Sequence, residues 1–297
     1  MENVKRMLRP ILKSAARAIF RFVPGNFMPH VPFAGLANLI PAGRTFVFTR
    51  YLGEMRVLID HGIFLETQIT HGGYESPIIR KIQGLLQDGA RCIDIGANVG
   101  LLTLAMAKVV GRSGQVLAIE PGPKLCRRMR ENIALNPRLR DRITVLSVGL
   151  AETSGAMFWV ECEDHPGNAT LEDKAPEKAE HARVTVAPLD AVVGEEGWSQ
   201  VDFVKIDVEG MELNVLRGAV GLLKQCRPLL VFETLPEFRM SDGRDMFAEI
   251  GELLEGFGYD FAVLAPDERF VRCGPTAWCH MTWAFQPEHA VAMGLSA

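Results

Sequence analysis

Residues 92 to 100 read CIDIGANVG. Cys92 to Ile95 suit a buried strand, and the strand runs into a loop with glycines at Gly96 and Gly100 and an acid, Asp94, at its mouth. The helical pattern LLTLAMAKVV follows directly and is closed by Gly111. Which fold, and which ligand, wants a glycine turn and a carboxylate at one corner depends on what surrounds them.

Outward from that corner the chain alternates. Strand-like runs recur at QVLAIEP (115–121), ITVLSVGL (143–150), VDFVKIDVEG (201–210), PLLVFE (228–233), YDFAVL (259–264) and MTWAF (281–285). Helical patterns fall between several of them: PKLCRRMRENIAL (123–135), MELNVLRGAVGLLKQ (211–225) and DMFAEIGELLEGFG (245–258). Short buried strands alternating with helices predict an α/β fold with a doubly wound, mostly parallel Rossmann-like sheet. Its ligand is expected at the carboxyl ends of the strands.

Composition narrows the chemistry. The 297 residues are 48% hydrophobic and 23% charged, enough to bury a full core. A formal charge of -4 and a pI near 6 give no overall basic field, which disfavours nucleic acid as a partner. The six cysteines are scattered without CxxC pairs or zinc-like spacing, as expected of reduced thiols in a cytoplasmic protein. The neighbours Cys279 and His280 carry no geometric meaning as a pair, and the sequon at Asn168 is read as chance.

Residues 1–24 differ from the rest. Lys5, Arg6, Arg9, Lys13, Arg17 and Arg21 face one acid, Glu2, while apolar residues recur at helical spacing. Two readings stand for this basic amphipathic segment: a helix packed on the catalytic domain, or one lying on the inner, anionic face of a membrane as a peripheral contact. No apolar run reaches the length of a spanning helix. Residues 25–43 are rich in Pro and Gly and read as a linker, 44–72 as a lead-in β-hairpin broken at Gly53, 73–288 as the catalytic domain and 289–297 as a tail.

The loop itself selects among ligands. A dinucleotide fingerprint needs a glycine where Asn98 stands, so a pyrophosphate cradle is disfavoured, and no GK[ST] ending marks a P-loop. The second strand ends in Glu120, twenty residues beyond Gly100, where a carboxylate can accept hydrogen bonds from a ribose diol. Ribose without pyrophosphate, beside an acid that favours a cation, describes S-adenosylmethionine.

GGYESPIIRKI, CIDIGANVGLLTLAMA, VLAIEPGPKLCRRMRENIALN, VAPLDAVV and VDFVKIDVEGMELNVLRGA followed by RPLLVFE resemble, in order and spacing, the FkbM family of S-adenosylmethionine-dependent methyltransferases. The resemblance runs from about residue 72 to 235 and implies a class I methyltransferase, usually acting on a hydroxyl of a small molecule, sugar or glycan. It implies that Asp94, Gly96, Asn98 and Gly100 hold the methionine moiety and Glu120 the ribose, that Glu75 of the Tyr74-Glu75 pair engages the ammonium, and that Ser147 to Leu150 line the adenine, with Asp190 a weak candidate for its amino group.

In VKIDVEG, Lys205, Asp207 and Glu209 occupy alternate positions, which points them one way while the strand lasts. They are the expected catalytic residues, with Asp207 or Glu209 as general base for a hydroxyl. Both acids with Glu233 could instead hold a divalent metal, although no metal is expected. Lys205 is equally well read as an ion-pair partner, and Glu212 and Arg217 as solvated helix positions. The polar insertion containing His165 reads as a lid over the acceptor, with Asn168 to Leu171 resembling a family position near the substrate. The rivals are an inactive methyltransferase-fold scaffold, a nicotinamide enzyme and an RNA methylase. The last is weakened because removing the net +5 of residues 1–24 turns the formal -4 into -9.

Overall fold

A computed structural model describes residues 30–32, 37, 40, 44–61, 69–70, 76–161, 169–177, 181–234, 245–274 and 281–295. The expected basic helix of residues 1–24, Tyr74, Glu75, His165, Asn168 and Cys279 lie outside them. The chain forms two compact units, Met1–Ser76 with Glu131–Arg138, and Pro77–Arg130 with Leu139–Ala297.

In the first unit, β1 (His30–Val31), β2 (Arg44–Tyr51) and β3 (Met55–His61) make a sheet in that order, with β2 and β3 antiparallel around a turn in which Leu52 and Gly53 take positive φ. Phe46, Val47, Val57 and Ile59 are buried. The backbone of β3 is capped by side-chain amides that imitate a further strand. Asn132 Oδ1 accepts from Leu58 N at 2.7 Å, and Asn136 bonds both the N–H and the carbonyl of Arg56, at 2.9 and 2.6 Å.

From Ser76 the chain runs through α1 (Ser76–Leu85), β4 (Arg91–Ile95), α2 (Leu101–Val109), β5 (Gln115–Ile119), α3 (Pro123–Ala134), whose residues from Glu131 onward count with the first unit, β6 (Ile143–Leu146), β7 (Gly149–Leu150), β8 (Gly155–Glu161), β9 (Ala169–Glu172) and β10 (His181–Ala187). It continues through α4 (Leu189–Glu195), β11 (Phe203–Ile206), α5 (Glu212–Arg217), α6 (Val220–Gln225), β12 (Leu229–Glu233), α7 (Met246–Glu255), β13 (Asp260–Leu264), β14 (Phe270–Cys273), β15 (Met281–Phe285) and α8 (Pro287–Ala290).

An eight-stranded sheet runs β14-β13-β15-β12-β11-β4-β5-β6. The five strands from β12 to β6 are parallel, and β15 joins β12 antiparallel. From β4 the chain proceeds to β5 and β6 on one side, and returns later as β11 on the other. The boundary between β4 and β11 is therefore the topological switch point, beside which ligands of such sheets bind, in a crevice at the carboxyl ends of the strands. The mostly parallel α/β sheet expected from the alternation is present. Its apolar strands pack Ile93, Ile95, Val204, Ile206, Leu230 and Phe232 against Leu213, Leu216, Leu223, Phe247 and Ile250 of the helices. Asp245 starts α7 by accepting hydrogen bonds from Phe247 N and Ala248 N at 3.0 and 3.4 Å.

Two features depart from the pattern. MELNVLRGAVGLLKQ is not one helix: it breaks between α5 and α6 at Gly218, where a Cβ would stand 2.5 Å from the Ala151 carbonyl oxygen. The polar stretch after β6 also contributes a second sheet, in the order β7-β10-β8-β9. Val184 and Val186 of β10 are buried while Arg183 and Thr185 are exposed, the period of a one-faced strand.

Candidate active site

The crevice is built from two loops that touch. After β4, Gly96 (φ 70), Asn98 (φ 51) and Gly100 (φ 81) all take left-handed backbone, so the chain folds sharply before α2 begins. After β11, Asp207 N donates to Ile95 O at 3.2 Å and brings its own carbonyl against the first loop. A Cβ on Gly96 would lie 1.8 Å from that Asp207 oxygen. The closeness of the two loops therefore requires glycine at 96.

Asp94 is wholly buried at the end of β4. Thr103 Oγ1 donates to its Oδ2 at 2.5 Å, Lys205 Nζ lies 3.7 Å from its Oδ1, and that Oδ1 accepts no hydrogen bond from the described residues. Burial pushes its carboxyl above the ordinary range, and Lys205 and Thr103 offset part of the shift. Glu120 follows β5 and is also buried. Its Oε2 accepts from Asn98 N at 2.9 Å and its Oε1 from Gly122 N at 2.8 Å, so the acid ties the glycine loop to its own. Burial raises it to about 7, against the pull of those two amides.

The second loop carries the other acids. Lys205, 2% exposed, reaches past the strand end to Asp207 Oδ2 at 3.2 Å and donates to Gly96 O at 3.2 Å, so one buried cation is shared between Asp94 and Asp207. The ion-pair reading of Lys205 describes this contact. The strand ends at Ile206, and Glu209 takes φ 51 with Gly210 at φ 96. Alternation along a strand therefore does not orient Glu209; a turn does. Even so, Asp207, Glu209 and Glu233, the last residue of β12, each bring a carboxylate oxygen to within 4.8 Å of the others, a donor set of the kind hard divalent cations use. Burial and the neighbouring acids, Asp207 first, push Glu233 up to about 9, so it holds a proton at neutral pH.

Glu212 is not a solvated helix position. It is 0% exposed, and its Oε1 accepts from Val208 N at 3.1 Å and Gly210 N at 3.4 Å, pinning both sides of the left-handed Glu209. Burial raises it to about 7. The Glu209 carbonyl in turn accepts from Thr170 Oγ1 of β9 at 3.4 Å, so the insertion does reach the acidic turn. Neither Glu212 nor Thr103 was expected at the site. The available signal for Glu212 is an acid at the first position of a short helix, a place where the sequence alone suggests only a solvated helix position.

Asp190 is not placed to meet a purine amino group. Its Oδ2 and Oδ1 accept from Gly221 N and Leu222 N at 2.7 and 2.8 Å, capping α6. Arg217 pairs with Glu249 at 2.6 Å across α5 and α7.

The residues present fit S-adenosylmethionine. Asn98 stands where a pyrophosphate-binding fingerprint has glycine, Glu120 offers a buried acceptor beside a glycine turn, and the Asp94 oxygen that accepts no hydrogen bond from the described residues lies in the same corner. The family model for the FkbM methyltransferase domain matches residues 94–261, more than half of the chain. Methyltransferase sdnD of Sordaria araneosa is 30% identical over 208 residues, 59% of this chain and 77% of that protein. Methyltransferase 1 of Beauveria bassiana is 29% identical over 198 residues, 61% and 76% of the two chains. Hexuronic acid methyltransferase AglP of Haloferax volcanii is 27% identical over 157 residues, 53% of this chain and 61% of its own. The crystal structure of an FkbM methyltransferase from Methylobacillus flagellatus aligns with a TM-score of 0.46 and 17% identity, over 68% of this chain and 48% of that one.

Proposed function

Because the chain belongs to the FkbM methyltransferase family, we propose that it transfers a methyl group from S-adenosylmethionine to a hydroxyl oxygen of a small molecule or saccharide. The observation that carries this reading is the convergence of Asp207, Glu209 and Glu233 beside the glycine loop and Glu120. A hydroxyl is a weak nucleophile and needs a positioned base, which an amine or thiolate needs less. The relative named for a hexuronic acid supports a sugar-like acceptor.

Bound there, S-adenosylmethionine supplies a methyl group activated by a sulfonium leaving group. Asp94, Gly96, Asn98 and Gly100 hold the methionine end, Glu120 accepts from the ribose hydroxyls, and Glu75 is assigned the ammonium. Lys205 orients Asp207 through their 3.2 Å contact. Glu209, held in strained backbone by Glu212, takes the acceptor's hydroxyl proton as the oxygen attacks, and Glu233, already protonated, adds no opposing charge. Alignment of the acceptor oxygen with the methyl carbon provides much of the acceleration.

The test is to incubate the purified chain with methyl-labelled donor and a panel of hexuronic acids, neutral sugars and hydroxylated small molecules, and to assign the labelled product by NMR. A label on oxygen, lost in Glu209→Gln with donor affinity within about threefold, is the expected result. A label on nitrogen or carbon would overturn it. EDTA should leave the rate unchanged, whereas a loss restored by Mg2+ would assign the three carboxylates to a metal.

A further inference from the structure

The insertion sheet has a face that the methyl-transfer chemistry does not use. In β8 and β9, Trp159 stands opposite Leu171 in register, so both side chains project from one face. Each meets a glycine. A Cβ on Gly122 would lie 2.7 Å from Trp159 Cζ2 and 2.9 Å from Glu120 Oε1. A Cβ on Gly149 would lie 2.8 Å from Leu171 Cδ1 and 2.9 Å from Val186 Cγ1. Gly122 belongs to the loop after β5 that carries Glu120, and Gly149 to the segment after β6 that lines the adenine in the donor reading. One aromatic and one aliphatic side chain from neighbouring strands are thus set down on both loops, each against a glycine whose Cβ would crowd it.

We propose that Trp159 and Leu171 form a wall of the nucleoside pocket, so that the insertion sheet binds the adenosine half of the methyl donor together with the loops after β5 and β6. The chemistry suits that ligand class: an apolar aromatic surface flanks the same point as the Glu120 carboxylate, and a nucleoside presents a flat apolar base joined to a diol. The inference rests on S-adenosylmethionine being the donor. It assigns the insertion a role at the cofactor end, in addition to the expected role over the acceptor.

The test is calorimetric titration of S-adenosylhomocysteine and of adenosine into the full chain and into Trp159→Ala, Trp159→Phe and Leu171→Ala, with circular dichroism to check folding and indole emission recorded alongside. Trp159→Ala should weaken both ligands tenfold or more, and by the same factor, because the loss falls on the part they share. Trp159→Phe should stay within threefold and lose most of the ligand-induced change in emission. A folded Trp159→Ala that binds both ligands within threefold of wild type would overturn the inference while leaving the donor assignment intact. If Trp159→Ala does not fold, Trp159→Phe decides: an emission change on saturation equal to that of wild type would overturn it. Failure of wild type to bind either ligand would overturn the donor assignment and this inference with it.

Discussion

Burial disfavours the ionised forms of Glu120 and Glu233, and each makes pH a probe of the site. Glu120 can accept from a ribose diol with both oxygens only when ionised, and burial has moved it to about 7. Affinity for S-adenosylhomocysteine should therefore rise from pH 6 to pH 8 and level off above, while Glu120→Gln binds more weakly with a flat profile. Calorimetry at several pH values checks this. For Glu233 the sign concerns stability. Its folded value, about 9, lies above the ordinary value of 4.5, so folding favours the protonated form. That stability is complete below about 4.5 and is lost as pH rises toward 9. Glu233→Gln should gain in melting temperature relative to wild type as pH increases from 5 to 9; a difference independent of pH would contradict the account. At this scale Asp94 and Glu120 were legible, because spacing after a strand and a glycine turn constrains them. Glu212 and Asp190 were not, because their oxygens serve backbone amides that come into reach only through a left-handed turn and a helix break.

Elements position these residues by crossing one another's backbone groups. The loop after β4 and the turn after β11 approach so closely that Gly96→Ala must displace the Asp207 carbonyl as well as adopt a positive φ. A loss of about 3 kcal/mol or more in chemical denaturation is expected. Glu212→Ala removes the buried acceptor of two part-buried amides and should cost about 1 to 3 kcal/mol, whereas Glu212→Gln keeps an oxygen at that position and should lose less. Equal losses for the two substitutions would show that the carboxylate charge, and not acceptance from Val208 and Gly210, holds the turn. The parallel strands were legible as apolar runs because both of their faces are buried. The insertion strands β8 and β10 were not. β10, HARVTVA, alternates buried and exposed positions with one face solvated, while β8, GAMFWVE, carries no such alternation, and the polar stretch between them dominates the reading as a lid. The need for glycine at 218 is not legible either, since the oxygen that a Cβ would meet there belongs to the distant Ala151.

For the molecule as a whole, the order of strands explains why the carboxylates and the glycine loop meet. The reversal of strand order between β4 and β11 sets the two loops side by side, and VDFVKIDVEG lies on the β11 side of it. The basic segment of residues 1–24 sets a separate expectation. On the membrane-surface reading of that segment, its net +5 carries the chain to anionic liposomes, and cosedimentation unchanged on deleting those residues would count against that reading. The central claim is that the crevice at the β4/β11 boundary takes S-adenosylmethionine through Glu120. The most direct measurement is calorimetric titration of the purified chain with S-adenosylmethionine and, separately, with NAD, repeated on Glu120→Ala. Saturable binding of the methyl donor alone, weakened at least tenfold by the substitution, is the predicted result. No binding of the donor, or binding that ignores the loss of Glu120, would contradict it and leave a methyltransferase fold serving as a scaffold.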